Sequence, residues 1–427
     1  KKKKFLGLNN QNFFKKINYL DPGSNLTISL QNFSLTKKSF FNRNIHNQNQ
    51  NINININEQI EKTKYLLEES VKKRLISDVP LAFCLSGGID SGSIVSIAKK
   101  KFNKNVKCYS IIDKDQRYNE EKKIDLIRKD NGIKLKKIFI NKNKNFIENL
   151  KKQINYRASP VSTFSYYNHQ EISNEASKDG YKVILSGTGA DELFTGYYDH
   201  FLLHLYEIKK DKKLFDKNLK YWKKYIKPLI RNPILKKYNL YINNKNYRNH
   251  INYRAAEFNK FLNKPTDEIF NEKNYSNSLL RNRMLNELFH ESVPPILYED
   301  DMNSMMNSVE NRSPFLDTEL VKNSFNINSN FLINNGFGKF ILREATKDYL
   351  IDDVRLFRKK IGFNSNLNNA LSNSFDLSLF LKENKLLVDL FDFKKLEKFL
   401  KKTKNLNSEN KFSFNLINIK LFLDSYA

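Results

Sequence analysis

Short apolar runs alternate with helical segments between residues 81 and 186 of this 427-residue chain, and this alternation limits the fold more than any other feature. The predicted strands cover approximately residues 81–85, 106–112, 135–140 and 182–186. The predicted helices between them lie near residues 91–102, 119–130, 143–154 and 166–178. Because parallel strands need crossover connections that cover both faces of the sheet, the pattern predicts an α/β fold with a parallel, doubly wound sheet.

The segments before this pattern have a different character. Residues 5–41 contain short alternating runs around Asp21-Pro22-Gly23-Ser24, which predicts a β-hairpin with its turn at that tetrapeptide. Residues 42–57 form an asparagine-rich stretch of low complexity that we interpret as a linker. A helix is then predicted to end before Pro80, and its apolar face contains Ile60, Leu67, Val71 and Leu75.

Beyond residue 197 the periodicity is mainly helical, which predicts a large helical C-terminal part. Two patterns there could suggest additional sites. His200 and His204 are spaced as zinc ligands can be on a helix, but no third ligand lies nearby in the sequence, so we do not assign a metal site. Residues 209–227 contain Trp222 and two tyrosines, and we interpret them as an amphipathic surface helix rather than a basic-aromatic patch.

Composition argues against two classes of partner. The formal net charge is +28, but the basic residues are spread along the whole chain, without an arginine-rich stripe or a known nucleic-acid module. We interpret the charge as a solvated lysine surface and do not expect a nucleic-acid partner. No apolar run approaches the roughly 20 residues that span a membrane. Cys84 and Cys108 lie in predicted strands and are expected to be inert core thiols, which favours a cytoplasmic location.

The first predicted strand leads into Ser86-Gly87-Gly88-Ile89-Asp90-Ser91-Gly92 and then into a helix. A glycine turn before a helix N-terminus offers backbone N–H groups and the positive end of the helix dipole to an anion. Gly87 and Gly88 allow a phosphate to approach the backbone closely. Asp90 would repel a bare phosphate, so its presence suggests a bridging Mg²⁺. The loop does not match GxxxxGK[ST], so it is not a standard P-loop.

A second glycine-rich loop follows the strand near residues 182–186 and reads Ser186-Gly187-Thr188-Gly189-Ala190-Asp191-Glu192-Leu193-Phe194-Thr195-Gly196-Tyr197. Loops at the carboxyl ends of parallel strands line the ligand crevice of an open α/β sheet. We therefore expect the two loops to meet and Asp90 and Asp191 to share one Mg²⁺.

These two loops resemble signatures of the asparagine synthetase family of ATP pyrophosphatases, and three later segments are similar to further signatures. The three are Asp301–Met305 with Glu310–Asp317, Gly338–Glu344, and Arg358–Phe363. Because all five occur in the family's order, the resemblance implies a synthetase domain over residues 58–427. Residues 1–41 resemble the last strands of the glutaminase domain that precedes it. That domain uses an N-terminal cysteine nucleophile that this chain lacks, so we expect either a fragment or ammonia supplied from elsewhere.

The resemblance implies a role for each matching residue. Those expected to contact the adenine nucleotide are Leu85, Ile111, Ser186 and Gly187. Those expected to hold the pyrophosphate are Ser86, Gly87, Gly88, Asp90 and Ser91. Asp90 and Asp191 are expected to bind Mg²⁺, and Lys339 is expected to stabilise charge that develops on the phosphates. For Arg312, two alternatives stay open: a substrate contact, or a structural ion pair with Glu310 or Asp317.

The chain departs from the family pattern at two places. Many members have a glutamate, thought to act as a base when ammonia attacks, where this chain has Thr188, which cannot be a base at neutral pH. Members also tend to have acidic residues before the proline that corresponds to Pro160, where this chain has Ala158-Ser159. Both departures put aspartate as the substrate in doubt more than they question adenylation.

The implied activity is adenylation of a carboxylate by ATP and Mg²⁺ with release of pyrophosphate, followed by attack of ammonia. Aspartate is the default acceptor, and asparagine and AMP are the products. Alternatives are an amidotransferase acting on another carboxylate, such as a sugar acid of a surface polysaccharide, a tRNA-modifying ATP pyrophosphatase, and a non-catalytic scaffold. Expected partners are the small carboxylate and ammonia, made from glutamine in a longer protein or by a partner glutaminase, and we also consider a homodimer.

Overall fold

The computed structural model describes residues 12–41, 55–140, 145–251, 254–265, 271–361, 367, 370–371, 375–401 and 407–427. Most of the predicted linker at residues 42–57 lies outside the described residues. Its last residues, from Ile56 onward, already belong to the first helix.

The described residues form seven strands in two sheets. The strands are β1 (Ser24–Ile28), β2 (Leu35–Ser39), β3 (Leu81–Cys84), β4 (Lys107–Ile112), β5 (Lys134–Phe139), β6 (Val183–Leu185) and β7 (Glu310–Arg312). β1 and β2 form an antiparallel hairpin. The other five form a parallel sheet in the order β5-β4-β3-β6-β7. The positions predicted for four of these strands are confirmed to within one or two residues.

Helices connect and surround these strands. In the described part of the chain they are α1 (Ile56–Arg74), α2 (Ile89–Lys100), α3 (Glu121–Asn131), α4 (Phe146–Arg157), α5 (Phe164–Lys178), α6 (Ala190–Phe194), α7 (Tyr198–Glu207), α8 (Lys212–Tyr221), α9 (Leu240–Asn243), α10 (Ala255–Asn259), α11 (Leu279–Asn286), α12 (Val293–Met305), α13 (Thr318–Phe325), α14 (Ser329–Leu332), α15 (Phe340–Ala345), α16 (Asp352–Arg355), α17 (Leu377–Lys382), α18 (Lys385–Leu390), α19 (Phe393–Leu400) and α20 (Asn407–Tyr426). Short 3₁₀ turns cover Ile208–Lys210, Lys227–Leu229, Pro233–Lys236 and Pro314–Leu316, and π-helical turns cover Trp222–Ile226 and Glu287–Glu291.

Apolar side chains cover both faces of the parallel sheet. Phe83 and Leu185 belong to the large core that α1, α2 and α3 help to form. Ala82 and Ile184, the alternate residues of the same strands, pack with Ile172 of α5. Because successive residues of a strand face opposite sides, strands that are apolar throughout are buried on both faces. The predicted α/β class, with its doubly wound parallel sheet and large helical C-terminal part, is confirmed.

The fifth strand of this sheet, β7, was not predicted from the sequence. Its residues Glu310–Arg312 are polar, and they pair with β6 at the edge of the sheet. The pairing depends on backbone hydrogen bonds, such as the one from the Ser186 N–H to the Arg312 carbonyl, at 2.9 Å. A three-residue polar edge strand has no apolar periodicity from which it could be recognised.

The N-terminal hairpin is present, but the predicted position of its turn is wrong. The chain reverses between β1 and β2, across residues 29–34, rather than at Asp21-Pro22-Gly23-Ser24. At the observed turn, Asn32 Oδ1 accepts a hydrogen bond from the Ser34 N–H at 3.1 Å, and Phe33 has a left-handed φ of 53°. Gly23 lies before β1, where its carbonyl accepts the Phe40 N–H at 2.9 Å. The side-chain turn at Asn32 therefore takes the place expected for the Pro-Gly turn.

Aromatic contacts connect this N-terminal segment to the C-terminal part. The Tyr19 and Tyr298 rings are 6.4 Å apart between centroids, and the Phe41 and Phe289 rings are 6.1 Å apart. Aromatic pairs at such separations add stability beyond the apolar area they bury. The assignment of residues 1–41 to a glutaminase-like domain stays a prediction.

The two cysteines lie on the adjacent strands β3 and β4 but on opposite faces of the sheet, and both thiols are free. Burial raises the pKa of both thiols above the ordinary cysteine value. A raised pKa disfavours the reactive thiolate, so both are expected to be inert. The amphipathic surface helix expected over residues 209–227 is divided in the structure into α8, the π-helical turn Trp222–Ile226 and short 3₁₀ turns, and Trp222 is buried. Among the described helices, none is both long and apolar enough to cross a bilayer.

A buried ion pair joins α4 to α12. Arg157 Nη1 lies 2.5 Å from Glu299 Oε2, and both side chains are 0% exposed. Arg157 Nη2 donates to Asn303 Oδ1 at 2.8 Å, and Glu299 Oε1 accepts the Ser162 N–H at 2.7 Å. Both charges are therefore matched and hydrogen-bonded, as a buried pair requires. The pair fixes the connection between α4 and α5 onto α12.

We expect Arg157→Met to lower the free energy of unfolding by about 3–5 kcal/mol, because it leaves the Glu299 carboxylate buried without its partner. Urea unfolding measures this loss. The double variant Arg157→Met/Glu299→Met removes both charges and should recover most of it. The control Lys322→Met breaks an exposed pair with Glu319 and should cost less than about 1 kcal/mol. Equal losses for Arg157→Met and Lys322→Met would contradict a structural role for the buried pair.

Candidate active site

The two glycine-rich loops meet at the carboxyl end of the parallel sheet and line one cleft of about 350 Å³. The segment that precedes α15 closes the cleft from the C-terminal part of the chain. The predicted site residues that line this cleft are Leu85, Ser86, Gly87, Gly88, Asp90, Ser91, Ile111, Ser186, Gly187, Thr188, Asp191 and Lys339. The structure thus brings together all the predicted site residues except Arg312.

The first loop is folded back by its own serines. Ser91 Oγ accepts the Ser86 N–H at 2.9 Å and lies 2.9 Å from Ser86 Oγ. Gly88 occupies the N-cap of α2, where no side chain satisfies the first N–H groups of the helix. Unsatisfied N–H groups at a helix N-terminus favour an anion through hydrogen bonds and the helix dipole. The loop therefore has the geometry of a phosphate site.

The second loop lies directly on the first, and glycine makes this approach possible. A Cβ added at Gly187 would lie 2.8 Å from the backbone nitrogen of Ser91. Further along the loop, a Cβ at Gly196 would lie 1.6 Å from Asp191 Oδ1. Both distances are shorter than van der Waals contact allows. Gly187 thus permits the loops to meet, and Gly196 leaves room for the carboxylate of Asp191.

Lys339 connects the two loops through its side-chain amine. The Nζ atom lies 2.6 Å and 2.7 Å from the two carboxylate oxygens of Asp90 and 2.5 Å from Asp191 Oδ1. Lys360 Nζ lies 2.5 Å from Asp191 Oδ2. Burial acts to raise the pKa of Asp191, but Lys339 and Lys360 outweigh it and hold that pKa below its ordinary value. The two aspartates likewise raise the pKa of Lys339 against the effect of burial.

Asp90 and Asp191 also fit the expected Mg²⁺. Carboxylate oxygens are the donors that Mg²⁺ prefers, and these two come from different loops yet contact the same amine. A pair of partly buried acids that converge on one cation has the donor chemistry for a divalent ion. The two residues predicted to share the metal are therefore close enough to do so.

Glu120 lines the phosphate side of the cleft, and Lys123 packs beside it. Sequence reasoning missed both residues. The Glu120 carboxylate accepts a hydrogen bond from the Gly87 N–H, so a protein anion lies where a phosphate is expected. Burial raises the pKa of Glu120 to about 7, against the opposing effects of Lys123 and of this hydrogen bond. Burial lowers the pKa of Lys123 to about 8. The only sequence signal was an acidic start to α3, which is ordinary for a helix.

At the far side of Thr188 the cleft contains an acid and a histidine that sequence reasoning also missed. Thr188 Oγ1 donates to Asp300 Oδ2 at 3.2 Å, and Ser186 Oγ donates to Thr188 Oγ1 at 3.2 Å. His169 Nδ1 lies 3.3 Å from Asp300 Oδ1. Asp300 directly precedes the third signature segment, whereas His169 lies in α5 without a motif that marks it.

Arg312 does not line the cleft. Its Nε donates to Glu310 Oε1 at 2.7 Å, and its Nη1 donates to the carbonyls of Arg74 and Ile76 at 2.8 Å and 2.7 Å. These contacts correspond to the structural alternative, an ion pair with Glu310. Arg312 also satisfies carbonyls at the C-terminal end of α1 and thereby joins α1 to β7.

The zinc alternative for His200 and His204 is not supported. His200 Nε2 lies 2.7 Å from Glu287 Oε2, and Asp199 is close by. However, the Arg283 guanidinium contacts both acids, at 3.1 Å from Asp199 and 2.9 Å from Glu287, so this is a buried ionic network. His204 lies outside the group, and burial lowers its pKa to about 4.

The sequence matches the model of a family described as asparagine synthase over residues 62–423. The glutamine-hydrolyzing asparagine synthetase 1 of Bacillus subtilis is 26% identical over 386 residues, covering 84% of this chain and 57% of that protein. Amidase chyE of Penicillium rubens is 24% identical over 404 residues, covering 83% of this chain and 59% of that protein. This chain thus spans a little over half the length of these relatives.

Among solved structures, the U34-tRNA thiolase NcsA from Methanococcus maripaludis is 12% identical, over 64% of this chain and 86% of its own. The TM-score is 0.23, which is too low to support an argument.

We expect Glu120→Gln to change how nucleotide binding depends on pH. Because the pKa of Glu120 is about 7, its carboxylate becomes charged as the pH rises and then competes with phosphate for the Gly87 N–H. The affinity of the unaltered chain for Mg-ATP should therefore fall between pH 6 and pH 8.5, by up to roughly tenfold, while that of Glu120→Gln stays nearly level.

Titration calorimetry at several pH values measures the difference. Glu121→Gln is the matched control, since Glu121 pairs with Lys137 away from the cleft and its loss should leave the pH dependence unchanged. Identical pH profiles for the unaltered chain and Glu120→Gln would show that Glu120 does not compete with phosphate.

Proposed function

Because this chain belongs to the asparagine synthase family, we propose that it uses ATP to activate a carboxylate and then converts that carboxylate to an amide. One observation carries the proposal: Lys339, Asp90 and Asp191 converge between two glycine-rich loops in a single cleft. A phosphate cradle, two metal-binding acids and a buried cation are the parts that nucleotidyl transfer requires.

The cleft has separate regions for the parts of the nucleotide. Leu85 and Ile111 offer apolar surface for the adenine, beside the backbone of Ser186 and Gly187. The Ser86–Ser91 loop and the start of α2 would hold the pyrophosphate. Bound Mg²⁺ at Asp90 and Asp191 would neutralise charge on the phosphates.

In the first step, an oxygen of the acceptor carboxylate attacks the α-phosphorus of ATP, and pyrophosphate leaves with the electron pair of the broken P–O bond. Lys339 and Lys360 lie beside the pyrophosphate loop, where their positive charges stabilise the charge that develops on the leaving group. Arg343 and Arg358 line the same side of the cleft. In the second step, ammonia displaces AMP from the acyl carbon and the amide forms.

Aspartate is the default acceptor, which makes asparagine the default product. The second candidate is another carboxylate, such as a sugar acid, and the Thr188 and Ala158-Ser159 departures favour it. The cations named above lie on the phosphate side, whereas Asp300 lies beside Thr188. The meeting of Asp90, Asp191 and Lys339 in one cleft supports a catalytic role over a non-catalytic scaffold.

We expect turnover to release pyrophosphate and AMP, and Asp90→Asn to lower it at least about 100-fold, because one of the two metal-binding carboxylates is lost. Enzyme-coupled assays distinguish pyrophosphate and AMP from phosphate and ADP. Asp348→Asn, which changes an exposed partner of Lys64, is the matched control and should keep full activity. Formation of ADP would exclude the proposed adenylation.

The acceptor is identified by ATP–pyrophosphate exchange, screened over aspartate and a panel of sugar acids. We expect exchange with one class of acceptor, since exchange requires that an acyl-adenylate forms reversibly. Exchange with aspartate, followed by asparagine on addition of ammonium, supports the default product. Exchange with a sugar acid alone supports the alternative, and no exchange with any carboxylate would overturn the proposed function.

A further inference from the structure

The amidation step needs a group that takes a proton from nitrogen, and Thr188 cannot be that group. A hydroxyl of threonine does not accept a proton at neutral pH. The Thr188 hydroxyl instead donates to Asp300 Oδ2, and Asp300 Oδ1 lies 3.3 Å from His169 Nδ1. All three side chains line the cleft. The Thr188–Asp300 hydrogen bond and the Asp300–His169 contact therefore bring a threonine, a carboxylate and an imidazole together at the place where a family base is missing.

The two helices that carry this chain are held firmly together. Asp300 is on α12 and is 4% exposed, while the side chain of His169, on α5, is 19% exposed. Asn303 Nδ2 on α12 donates to the Tyr166 carbonyl on α5 at 2.9 Å. The Arg157–Glu299 pair fixes the residue next to Asp300. A base set on rigid, packed helices keeps the geometry that proton transfer requires.

We propose that His169 accepts the proton that nitrogen loses during amide formation, and that Asp300 is the positioning residue that holds and stabilises its imidazole. This assignment rests on the proposed function and adds to that function the base of the second step. Thr188 then has a positioning role, since its hydroxyl occupies one oxygen of Asp300 and leaves the other for His169.

Neutral ammonia attacks the acyl carbon of the adenylate, and a C–N bond forms. The nitrogen of the adduct transfers one proton to the neutral imidazole of His169, and AMP leaves with the electron pair of the broken C–O bond. The imidazolium is stabilised by the charge of Asp300 until water takes the proton. Histidine suits this role because it is the side chain that exchanges protons most readily near neutral pH.

Glu192 is the competing base within the cleft. Its carboxyl accepts a hydrogen bond from the Tyr197 hydroxyl and is 2% exposed. Burial raises its pKa to about 7, a value that would also suit a base. The negative charges of Asp300 and Glu192 both act on the Tyr166 hydroxyl, so the two acids share one region of the cleft. An experiment must therefore separate His169 from Glu192.

The test compares His169→Asn, Asp300→Asn and Glu192→Gln, each measured in two assays. ATP–pyrophosphate exchange reports the first step, and amide formation from ammonium reports the second. The His169→Asn change keeps an N–H donor near the Nδ1 position but removes the group that can take a proton. Asp348→Asn is again the control for an aspartate change far from the cleft. Thermal melting confirms that each variant is folded.

We expect His169→Asn to keep exchange within about twofold while amide formation falls about 10²–10⁴-fold, the usual effect of a missing general base. The remaining amide formation should rise with pH more steeply than in the unaltered chain, because it then depends on solvent hydroxide. Asp300→Asn should show a smaller loss in the same step, with its pH profile displaced. If the Asp300→Asn variant does not fold, Thr188→Val takes its place in the test, and it should show the same kind of loss in amide formation.

Three results would overturn the proposal. Equal losses of exchange and amide formation in His169→Asn would give His169 a structural or acceptor-binding role. Unchanged amide formation in His169→Asn, with loss in Glu192→Gln alone, would assign the base to Glu192. Absence of exchange in the unaltered chain with every carboxylate would remove the proposed function itself, and with it the step that His169 is inferred to assist.

Discussion

The contact of Lys339 with Asp90 and Asp191 holds the cleft together. Lys339 and Asp90 are 249 residues apart in the sequence, so their contact joins the loop after β3 to the helical C-terminal part of the chain. Burying two carboxylates near each other is unfavourable unless a cation lies between them. The lysine supplies that cation, and the position of α15, the approach of the two loops and the shape of the phosphate site all depend on it.

The sheet could be predicted because the information is local. Apolar runs such as Val183–Leu185 are short, flanked by glycine and repeated between amphipathic helices, and burial on both faces requires this pattern. β7 could not be predicted, since its polar residues join the edge of the sheet through hydrogen bonds rather than through apolar packing. The hairpin turn was misplaced because Asn32 formed a side-chain turn that competed with the stronger Pro-Gly signal.

In the site, too, the features that are local in the sequence could be predicted, and those that depend on packing could not. The glycine loops and their acids were visible because each is contiguous in the sequence. Glu120, His169 and Asp300 were not, because packing of α3, α5 and α12 brings single residues from ordinary helices to the cleft. Arg312 illustrates the opposite case: it belongs to a signature segment, yet its guanidinium satisfies Glu310 and the end of α1. Membership of a motif does not tell a catalytic residue from a structural one, whereas the contacts of the residue in the structure do.

Gly196 is a position where one neighbouring side chain requires a glycine. Glycines are usually retained where the backbone turns into the left-handed region, as Gly189 does with a φ of 98°. Gly196 does not adopt a positive φ, so its backbone is open to any amino acid. The neighbouring Asp191 side chain excludes them, because its Oδ1 lies 1.6 Å from the position that a Cβ at residue 196 would occupy. A side chain at 196 would therefore push the Asp191 carboxylate away from Lys339 and Lys360 without requiring any change in the backbone conformation of the loop.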